Sequence, residues 1–316
     1  MKRTGYLYDD RYQDHDTGSE HPESADRLAT IHANLRSAGL LDWLIPIRAT
    51  RADIRWLHAV HPPHYIRRFE EVCLSGNSCF DFPDNQMCVS TYDTAFLAVG
   101  GVIETARRIM ADEMDNAFCA IRPPGHHAEA DLAMGFCYFN NVAIAARYLQ
   151  QAHGIQRVAI IDIDVHHGNG TQHIFEDDPT VFYYSIHEHP SFSFPGSGRD
   201  FERGTGPGEG FTKNSLVLPG QGDDTYKTLI QQDLLPAMEM FKPEFILVSC
   251  GFDAHEADDM ADIELSRDGY IWVMKTILQL ADQYTHSRII SVLEGGYCLE
   301  WLGKLAVDHV RVLLEG

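Results

Sequence analysis

The chain has 316 residues, of which 44% are hydrophobic, enough to fill the core of one large α/β domain. It carries 25 basic and 46 acidic side chains, and its formal net charge of −21 disfavours direct binding to the negative phosphate backbone of nucleic acids. The same charge would attract cationic ligands such as lysine-rich peptides or polyamines, although surface acidity also serves solubility alone.

Seven scattered cysteines form no C-x-x-C pair, so neither a thiolate zinc site nor a disulfide framework is predicted, and a reducing compartment fits best. The first residues lack the apolar core of a signal peptide, and no run approaches the ~20 apolar residues of a membrane span. These features predict a cytoplasmic protein that has no membrane-spanning segment.

Short apolar runs alternate with amphipathic patterns along the chain. The apolar runs predict strands at Thr4–Tyr8, Ala117–Ile121, Arg157–Asp164, Thr180–Ile186, Asn214–Leu218, Phe245–Cys250 and Arg288–Leu293. The amphipathic patterns predict helices at Ser24–Ala38, His64–Ser75, Thr91–Ala111, Asn140–His153, Thr225–Phe241, Ser266–Tyr284 and Leu299–Leu314. This alternation is typical of a single α/β domain, residues 1–316, with a mostly parallel sheet covered by helices on both faces. Long connections, which are more often functional than ordinary turns, lie at Leu74–Ser90, Ile186–Phe211 and Ala254–Leu265.

Acidic and histidine side chains follow one of the buried predicted strands. Side chains alternate between the two faces of a strand, so Asp162, Asp164 and His166 share one face. A catalytic zinc ion takes three histidine or carboxylate ligands, of which Asp164 and His166 supply two. Asp253, just past another buried strand, is the best candidate for the third, with a helix-capping carboxylate as the alternative. Asp162 would be crowded as a fourth ligand, and a hydrogen bond to a histidine or a structural cation suits it better. His167 faces the other way and is predicted to be a packed or hydrogen-bonded histidine.

Two further strand ends carry residues suited to catalysis. His126 and His127 follow a rigid Pro-Pro-Gly turn, and paired histidines beside a metal indicate general acid–base catalysis, with metal ligation or a surface location as alternatives. Tyr297 follows a Gly-Gly turn, where its hydroxyl can donate to a developing oxyanion, or where it simply packs in the core. Phe136 and Phe194 lie in loops near the same predicted sheet edge, where two rings would form a slot for an apolar stem.

Taken together, these motifs resemble those of the zinc-dependent histone deacetylase family, within the arginase–deacetylase fold. The matching runs are Arg122-Pro-Pro-Gly-His-His-Ala, Gly135-Phe-Cys-Tyr-Phe-Asn-Asn, Asp162-Ile-Asp-Val-His-His-Gly-Asn-Gly-Thr-Gln, Gly251-Phe-Asp and Glu294-Gly-Gly-Tyr. Their order and spacing extend from about Tyr6 to the carboxyl terminus. The residues at two positions, Asn169 and Leu293-Glu294, resemble those of the class II branch of the family and its bacterial relatives.

The resemblance implies a role for each catalytic candidate. The implied zinc ligands are Asp164, His166 and Asp253. His127 would act as the general base and then as the general acid, supported by Asn169. His126, paired with Asp162, would be its electrostatic partner, and Tyr297 would polarise the amide carbonyl.

The resemblance also implies a substrate tunnel. Phe136 and Phe194 would line it for an acyl-lysine side chain, beside Gly135. Some relatives deacetylate polyamines and carry a glutamate gate where this chain has the apolar Met260, which favours a lysine substrate. Four nearby acidic residues weaken that argument, namely Glu256, Asp258, Asp259 and Asp262.

Family members also hold monovalent cations, so the resemblance implies one or two structural K⁺ ions. The ligands of the first site would be Asp162, Ser185 and main-chain oxygens of Asp164, His166 and Ile186. The second site would use carbonyl oxygens near Phe175, Asp178, Val181 and Phe211.

The function that the resemblance implies is zinc-dependent removal of acetyl or longer acyl groups from the ε-amine of lysine in proteins or peptides. An acetylpolyamine deacetylase of the same family is the main alternative. An arginase-type enzyme needs a two-manganese cluster with more aspartates and histidines, and a non-enzymatic acyl-lysine binder would be expected to lack the histidine pair or the tyrosine. The oligomeric state stays open, a homo-oligomer included.

Overall fold

The computed structural model describes all 316 residues. The strands are β1 (Thr4–Leu7), β2 (Ile45–Ile47), β3 (Cys79–Phe80), β4 (Phe82–Gln86), β5 (Asn116–Cys119), β6 (Val158–Asp162), β7 (Val181–Glu188), β8 (Thr212–Val217), β9 (Phe245–Cys250) and β10 (Ile289–Leu293). The α-helices are α1 (Asp26–Ser37), α2 (Ile54–Leu57), α3 (Pro63–Leu74), α4 (Thr91–Met110), α5 (Asn141–His153), α6 (Asn169–Phe175), α7 (Asp223–Leu229), α8 (Leu235–Phe241), α9 (Arg267–Tyr284) and α10 (Leu299–Glu315). None of these helices combines the length and apolar character that a membrane crossing requires.

Eight strands form one sheet in the order β2-β1-β5-β10-β9-β6-β7-β8, and every neighbouring pair is parallel. Helix α10 packs against both α1 and α9, α4 packs on α5, and β5 contacts both α4 and α10. The central strands are therefore covered on both faces, which is why β9 is a continuous buried run rather than an alternating one. The predicted single-domain α/β fold, with a parallel sheet of about eight strands, is confirmed.

The predicted elements are found with their ends within two residues, and the differences have local causes. The helix predicted as continuous over Thr225–Phe241 is interrupted by a π-helical turn, Ile230–Leu234. Pro236 follows this turn, and proline lacks the N–H that the regular ladder needs. The three-residue strand β2 and the short helices α2 and α6 were not predicted, and the predicted long loop at Leu74–Ser90 contains the antiparallel hairpin β3–β4. Such short elements carry too little periodicity to be recognised.

The sheet order brings the sequence motifs to one place. Strands β5, β10, β9 and β6 are consecutive neighbours, and each is followed by one of the motifs. Because the strands are parallel, their carboxyl ends lie at the same edge of the sheet, where open α/β sheets place their ligands. Residues separated by 170 positions, His127 and Tyr297, are therefore brought together in one cavity wall.

A buried ionic network ties the amino-terminal segment to this edge. Arg122 donates from Nε and Nη2 to the carboxylate of Glu23 at 2.5 and 2.8 Å, and Arg27 Nη1 donates to it at 3.1 Å. All three side chains are fully buried. Arg27 also donates to the main-chain oxygens of Glu294 and Gly296 at 2.5 and 2.8 Å. The network therefore fixes the turn after β10 through charged donors.

We predict that Glu23→Gln lowers the free energy of unfolding at pH 7 by about 3–5 kcal/mol, because two buried guanidinium groups lose their anion. Burial alone would raise the pKa of Glu23, but the charge of Arg122 and hydrogen bonds from His15 and Arg122 hold it well below its ordinary 4.5. With a depressed pKa in the folded state, the stabilisation is complete above about pH 4.5 and is lost as the pH falls through the folded-state value. Urea unfolding between pH 7 and pH 3 should show wild type and variant converging in acid.

Glu113→Gln is the matched control for this measurement. Glu113 pairs with Arg107 and Arg108, but its side chain is 40% exposed, and ion pairs in water contribute little. Its loss should leave the unfolding free energy nearly unchanged. Equal losses in both variants would contradict the role assigned to burial.

Candidate active site

The segment after β6 turns its polar side chains toward one side of the sheet edge. The strand itself ends at Asp162, two residues earlier than predicted. Extended pairing nevertheless continues, because Ile163 donates to a main-chain oxygen of β9 and Val165 accepts from the main chain of β7, both at 2.9 Å. Asp164 and His166 therefore still point to a common side, as the strand periodicity predicts.

Asp164, His166 and Asp253 form a buried triad. One ligand atom from each lies within 4.8 Å of the other two, and no other group of three such side chains in the protein does so. His166 Nδ1 lies 3.1 Å from Asp164 Oδ1 and 3.3 Å from Asp253 Oδ2. Asp253 Oδ1 accepts from the main-chain N–H of Val165 at 3.1 Å, so Asp253 caps no helix and that alternative is wrong.

The chemistry of the triad fits a divalent cation. Asp253 Oδ2 is buried without a hydrogen-bond donor, and both burial and the charge of Asp164 raise the pKa of Asp253. Two glycines press against the carboxylates: a Cβ at Gly295 would lie 2.0 Å from Asp253 Oδ2, and one at Gly251 would lie 2.1 Å from Asp164 Oδ2. Two carboxylates and one imidazole, with an acceptor left free, are the donor set of a catalytic zinc site.

His126 and His127 stand side by side, with ring centroids 3.9 Å apart, and bond to different partners. His126 Nδ1 lies 3.0 Å from Asp162 Oδ2, and His127 Nδ1 lies 2.8 Å from Asn169 Oδ1. An amide oxygen only accepts, so His127 carries its proton on Nδ1 and keeps the Nε2 lone pair free. Both rings are buried, at 3% and 4% exposure, so the surface alternative is wrong, and neither belongs to the metal triad.

The surroundings of the two histidines separate their charge states. Burial lowers the pKa of His127 well below its ordinary value, and the nearby positive charge of His126 acts in the same direction. Burial alone would also lower the pKa of His126, but the charges of Asp162 and Asp164 outweigh it and raise that pKa to about 10. At neutral pH, His126 is therefore cationic and His127 is a neutral base.

A cavity of about 220 Å³ opens from the triad to solvent, and its lining residues are Asp84, His127, Gly135, Phe136, His166, Phe194, Met260 and Tyr297. The ring of Phe136 meets that of Tyr297 edge to face at 6.0 Å, and Phe194 meets His127 in the same way at 5.0 Å. A Cβ at Gly135 would lie 2.3 Å from the His127 ring, so only glycine allows the aromatic loop to approach this closely. The walls are thus apolar and narrow.

Phe136 has a strained main chain. Its φ of +68° lies in the left-handed region, which costs a bulky residue about 1–3 kcal/mol. Its N–H donates to Asn85 Oδ1 at 2.7 Å, and its ring packs against His21 at 4.7 Å. These contacts hold the conformation that turns the Phe136 ring into the cavity wall.

Tyr297 lies beside the triad at the cavity wall. Its main-chain N–H and that of Cys298 donate to Asp258 Oδ2 at 2.6 and 2.8 Å, and the guanidinium of Arg27 lies 4.9 Å from its ring. Burial raises the pKa of Tyr297 well above its ordinary value, so the hydroxyl stays protonated and able to donate. Asp258 is buried beneath this turn, so it is not among the acidic residues around the cavity that the sequence suggested.

The structure also brings together the residues of the expected cation sites. Asp162 and Ser185 are paired across β6 and β7 and fully buried, and Ser185 Oγ bonds to His187 Nδ1 at 2.7 Å. For the second expected site, Phe175 is the last residue of α6, Asp178 lies in the connection that follows, and Val181 begins β7. His167 bonds to Ser197 and Gln172, each at 2.9 Å, which confirms the prediction that it is a hydrogen-bonded histidine rather than a ligand.

Sequence reasoning missed Asp84 in the cavity wall and Glu294, whose carboxylate holds the turn that carries the histidine pair. Asp84 lies on the hairpin inside the long connection at Leu74–Ser90. The length of that connection was the one feature of the sequence that indicated a functional role for it. Nothing in the sequence showed that the side chain of Glu294 faces the histidine turn.

Comparisons with known proteins agree with this geometry. The histone deacetylase domain model matches residues 21–313. A probable deacetylase of Archaeoglobus fulgidus is 39% identical over 315 residues, 98% of this chain and 85% of its own. A histone deacetylase-like amidohydrolase of Pseudomonas aeruginosa is 37% identical over 88% of this chain and 72% of its own. The crystal structure of the HDA15 HD domain matches with a TM-score of 0.93 at 34% identity, covering 99% of this chain and 88% of that one.

The fold and site define a deacetylase-type amidohydrolase, and the predicted arginase–deacetylase fold is confirmed. The chain belongs to the histone deacetylase family. Some relatives are longer: histone deacetylase 5 of Arabidopsis thaliana is 36% identical over the whole of this chain, which spans 49% of that protein.

We predict that the wild-type protein binds one divalent ion per chain and that Asp253→Asn weakens zinc binding by well over ~10-fold, because even residues that only support metal ligands contribute that much. Metal analysis after dialysis and titration with a zinc-buffered indicator would measure both. Asp259→Asn, at an exposed position on the same loop, is the matched control and should bind zinc normally. Two ions per chain would contradict the single-ion site and favour an arginase-type cluster.

Proposed function

We propose that this protein is a zinc-dependent lysine deacylase that hydrolyses the amide bond of acetyl-lysine in proteins or peptides. The observation that carries the proposal is the buried metal triad at the end of a narrow apolar cavity, with His127 and Tyr297 beside it. An acetylated lysine offers a long neutral stem for such walls and an amide group for the chemistry at their end. A protein that only bound acyl-lysine would have no use for a neutral base held beside a metal site.

The residues of the chain divide the reaction between them. Zinc held by the triad would supply Lewis-acid chemistry, polarising the amide carbonyl and acidifying a water molecule. His127 takes the proton from that water through Nε2 as the water oxygen bonds to the carbonyl carbon. The Tyr297 hydroxyl donates to the carbonyl oxygen as it becomes negative. His127 then gives the proton to the lysine nitrogen as the carbon–nitrogen bond breaks, leaving acetate and a free amine.

His126 and Asp162 support this cycle without exchanging the reacting proton. Asp162 holds the cationic His126 ring through Nδ1, and that cation lies beside His127. The adjacent positive charge keeps His127 neutral before the reaction and ready to accept a proton. Asn169 fixes the tautomer that leaves Nε2 free. We also propose a structural K⁺ at Asp162 and Ser185, a second at the carbonyls after α6, and a cytoplasmic location.

The lining of the cavity favours acyl-lysine over acetylpolyamines. Met260 contributes an apolar side chain, and the only carboxylate in the lining is that of Asp84, an exposed residue. A polyamine would carry further ammonium groups along its length and would need anionic partners for them. The exposed Glu256, Asp259 and Asp262 near Met260 support acetylpolyamines as the second candidate class.

We predict that His127→Ala and Tyr297→Phe each lower kcat by ~10²–10³-fold while zinc content stays at the wild-type level. The first variant removes the proton acceptor, and the second removes the donor to the oxyanion. Steady-state kinetics on an acetyl-lysine peptide, with metal analysis of the same samples, would measure this. Tyr284→Phe, at the end of α9, is the control and should be fully active. Normal kcat in Tyr297→Phe would refute the role of its hydroxyl.

For the zinc-loaded enzyme, we predict a higher kcat/KM for acetyl-lysine peptides than for longer acyl-lysines or acetylpolyamines. Met260→Glu should shift the ratio toward acetylpolyamines, because it adds an anion to the cavity wall. Met240→Glu, which adds the same charge at an 82% exposed position on α8, should leave the ratio unchanged. A wild-type preference for polyamines would overturn the choice of substrate, and no hydrolysis of any of these compounds would overturn the proposed function.

A further inference from the structure

Glu294, the first residue after β10, has a fully buried side chain that accepts three hydrogen bonds. Its Oε2 accepts from the main-chain N–H groups of Gly125 and His126, at 2.7 and 3.2 Å. Its Oε1 accepts from the hydroxyl of Ser249 at 3.1 Å. All three donors are neutral, and two belong to the turn that carries the histidine pair.

The main chain at Glu294 also contacts the segments that carry the metal triad. Its N–H donates to the carbonyl of Cys250 at 3.0 Å, where β9 leads into the segment that ends at Asp253. Its carbonyl accepts from Arg27, and the N–H of the next residue, Gly295, donates to Asp164 Oδ2 at 2.8 Å. Glu294 thus contacts both the histidine turn and the segment that leads from β9 to Asp253, and it lies three residues before Tyr297.

The histidine turn needs such a contact. It follows β5 as a Pro-Pro-Gly connection that belongs to no helix or strand. Buried main-chain N–H groups without an acceptor are costly, and a side chain from a neighbouring strand end supplies one here. Reaching two N–H groups across the gap between β10 and the turn requires the length of a glutamate side chain, so a shorter carboxylate would leave them unpaired.

We propose that Glu294 is a positioning residue that sets the placement of the His126–His127 turn relative to Tyr297, through the reach of its carboxyl group rather than its charge. The proposal rests on the proposed function for its kinetic consequence. Tyr297 and His127 line one cavity and are proposed to act on the same amide, and displacement of a catalytic group by ~1 Å can cost ~10²-fold in rate. Other residues contact the alkyl stem of the substrate lysine. Displacement of the histidine turn is therefore expected to lower kcat rather than to change KM.

Two conservative variants separate reach from charge. Glu294→Gln keeps the length and one carbonyl oxygen for the two N–H groups but removes the charge. Glu294→Asp keeps the charge but shortens the side chain by one methylene. We expect Glu294→Gln to retain kcat within ~5-fold of wild type and Glu294→Asp to lose ~10–100-fold, each with KM within ~3-fold. Kinetics on an acetyl-lysine peptide with zinc-loaded enzyme would measure this.

Amide hydrogen exchange of residues 122–128 is the second measurement, and it requires no activity. Protection of this turn should persist in Glu294→Gln and fall in Glu294→Asp, while zinc content is unchanged in both. Ser291→Ala, on the same strand and equally buried with a hydroxyl that has no partner, is the control and should match wild type. An equal or larger loss in Glu294→Gln than in Glu294→Asp would overturn the proposal. A wild-type enzyme without deacylase activity would instead overturn the proposed function, and the exchange result would still decide whether Glu294 holds the turn.

Discussion

Four carboxylates, those of Asp162, Asp164, Asp253 and Glu294, are buried near one another at the carboxyl edge of neighbouring strands. Like charges repel strongly when water is excluded, so each carboxylate needs its own compensation. Asp162 has the cationic ring of His126, and Glu294 has three neutral donors. Asp164 and Asp253 both lie beside His166, whose Nδ1 makes its hydrogen-bond contact with Asp164, so Asp253 Oδ2 has no hydrogen-bond partner. The anionic character that remains is what makes this pair suited to a divalent ion.

Glycines control how closely these groups approach. A Cβ at Gly168 would lie 2.2 Å from Asp162 Oδ2, and Gly251, Gly295 and Gly135 stand equally close to the triad or to the His127 ring. Each of these glycines lies in one of the motifs that identified the family. The glycines in these motifs are therefore required on steric grounds. A side chain at any of these positions would push a carboxylate or an imidazole out of place.

The sequence predicted much of the fold because buried parallel strands and amphipathic helices leave strong, periodic signals. It missed the short strand β2, the hairpin β3–β4 and the short helices α2 and α6, and it did not foresee that a π-helical turn before Pro236 would interrupt a helix. For the site, strand periodicity placed Asp164 and His166 on a common side, although the strand ends at Asp162. The partners of the histidine pair, Asp162 and Asn169, came from family resemblance, and the structure shows both contacts.

The sequence by itself determined which side chains follow each buried strand, since that information is local and repeats with the geometry of a strand. Tertiary structure decided which of them meet, because that depends on the order of strands in the sheet, which places β5, β10, β9 and β6 side by side. It also decided the charge states: His126 and His127 are adjacent in sequence, yet one faces a carboxylate and the other an amide oxygen. Burial of Glu23, Arg27 and Arg122 likewise became visible only in three dimensions, because Arg122 meets Glu23 from 99 residues away and Arg27 meets the main chain of Glu294 from 267 residues away.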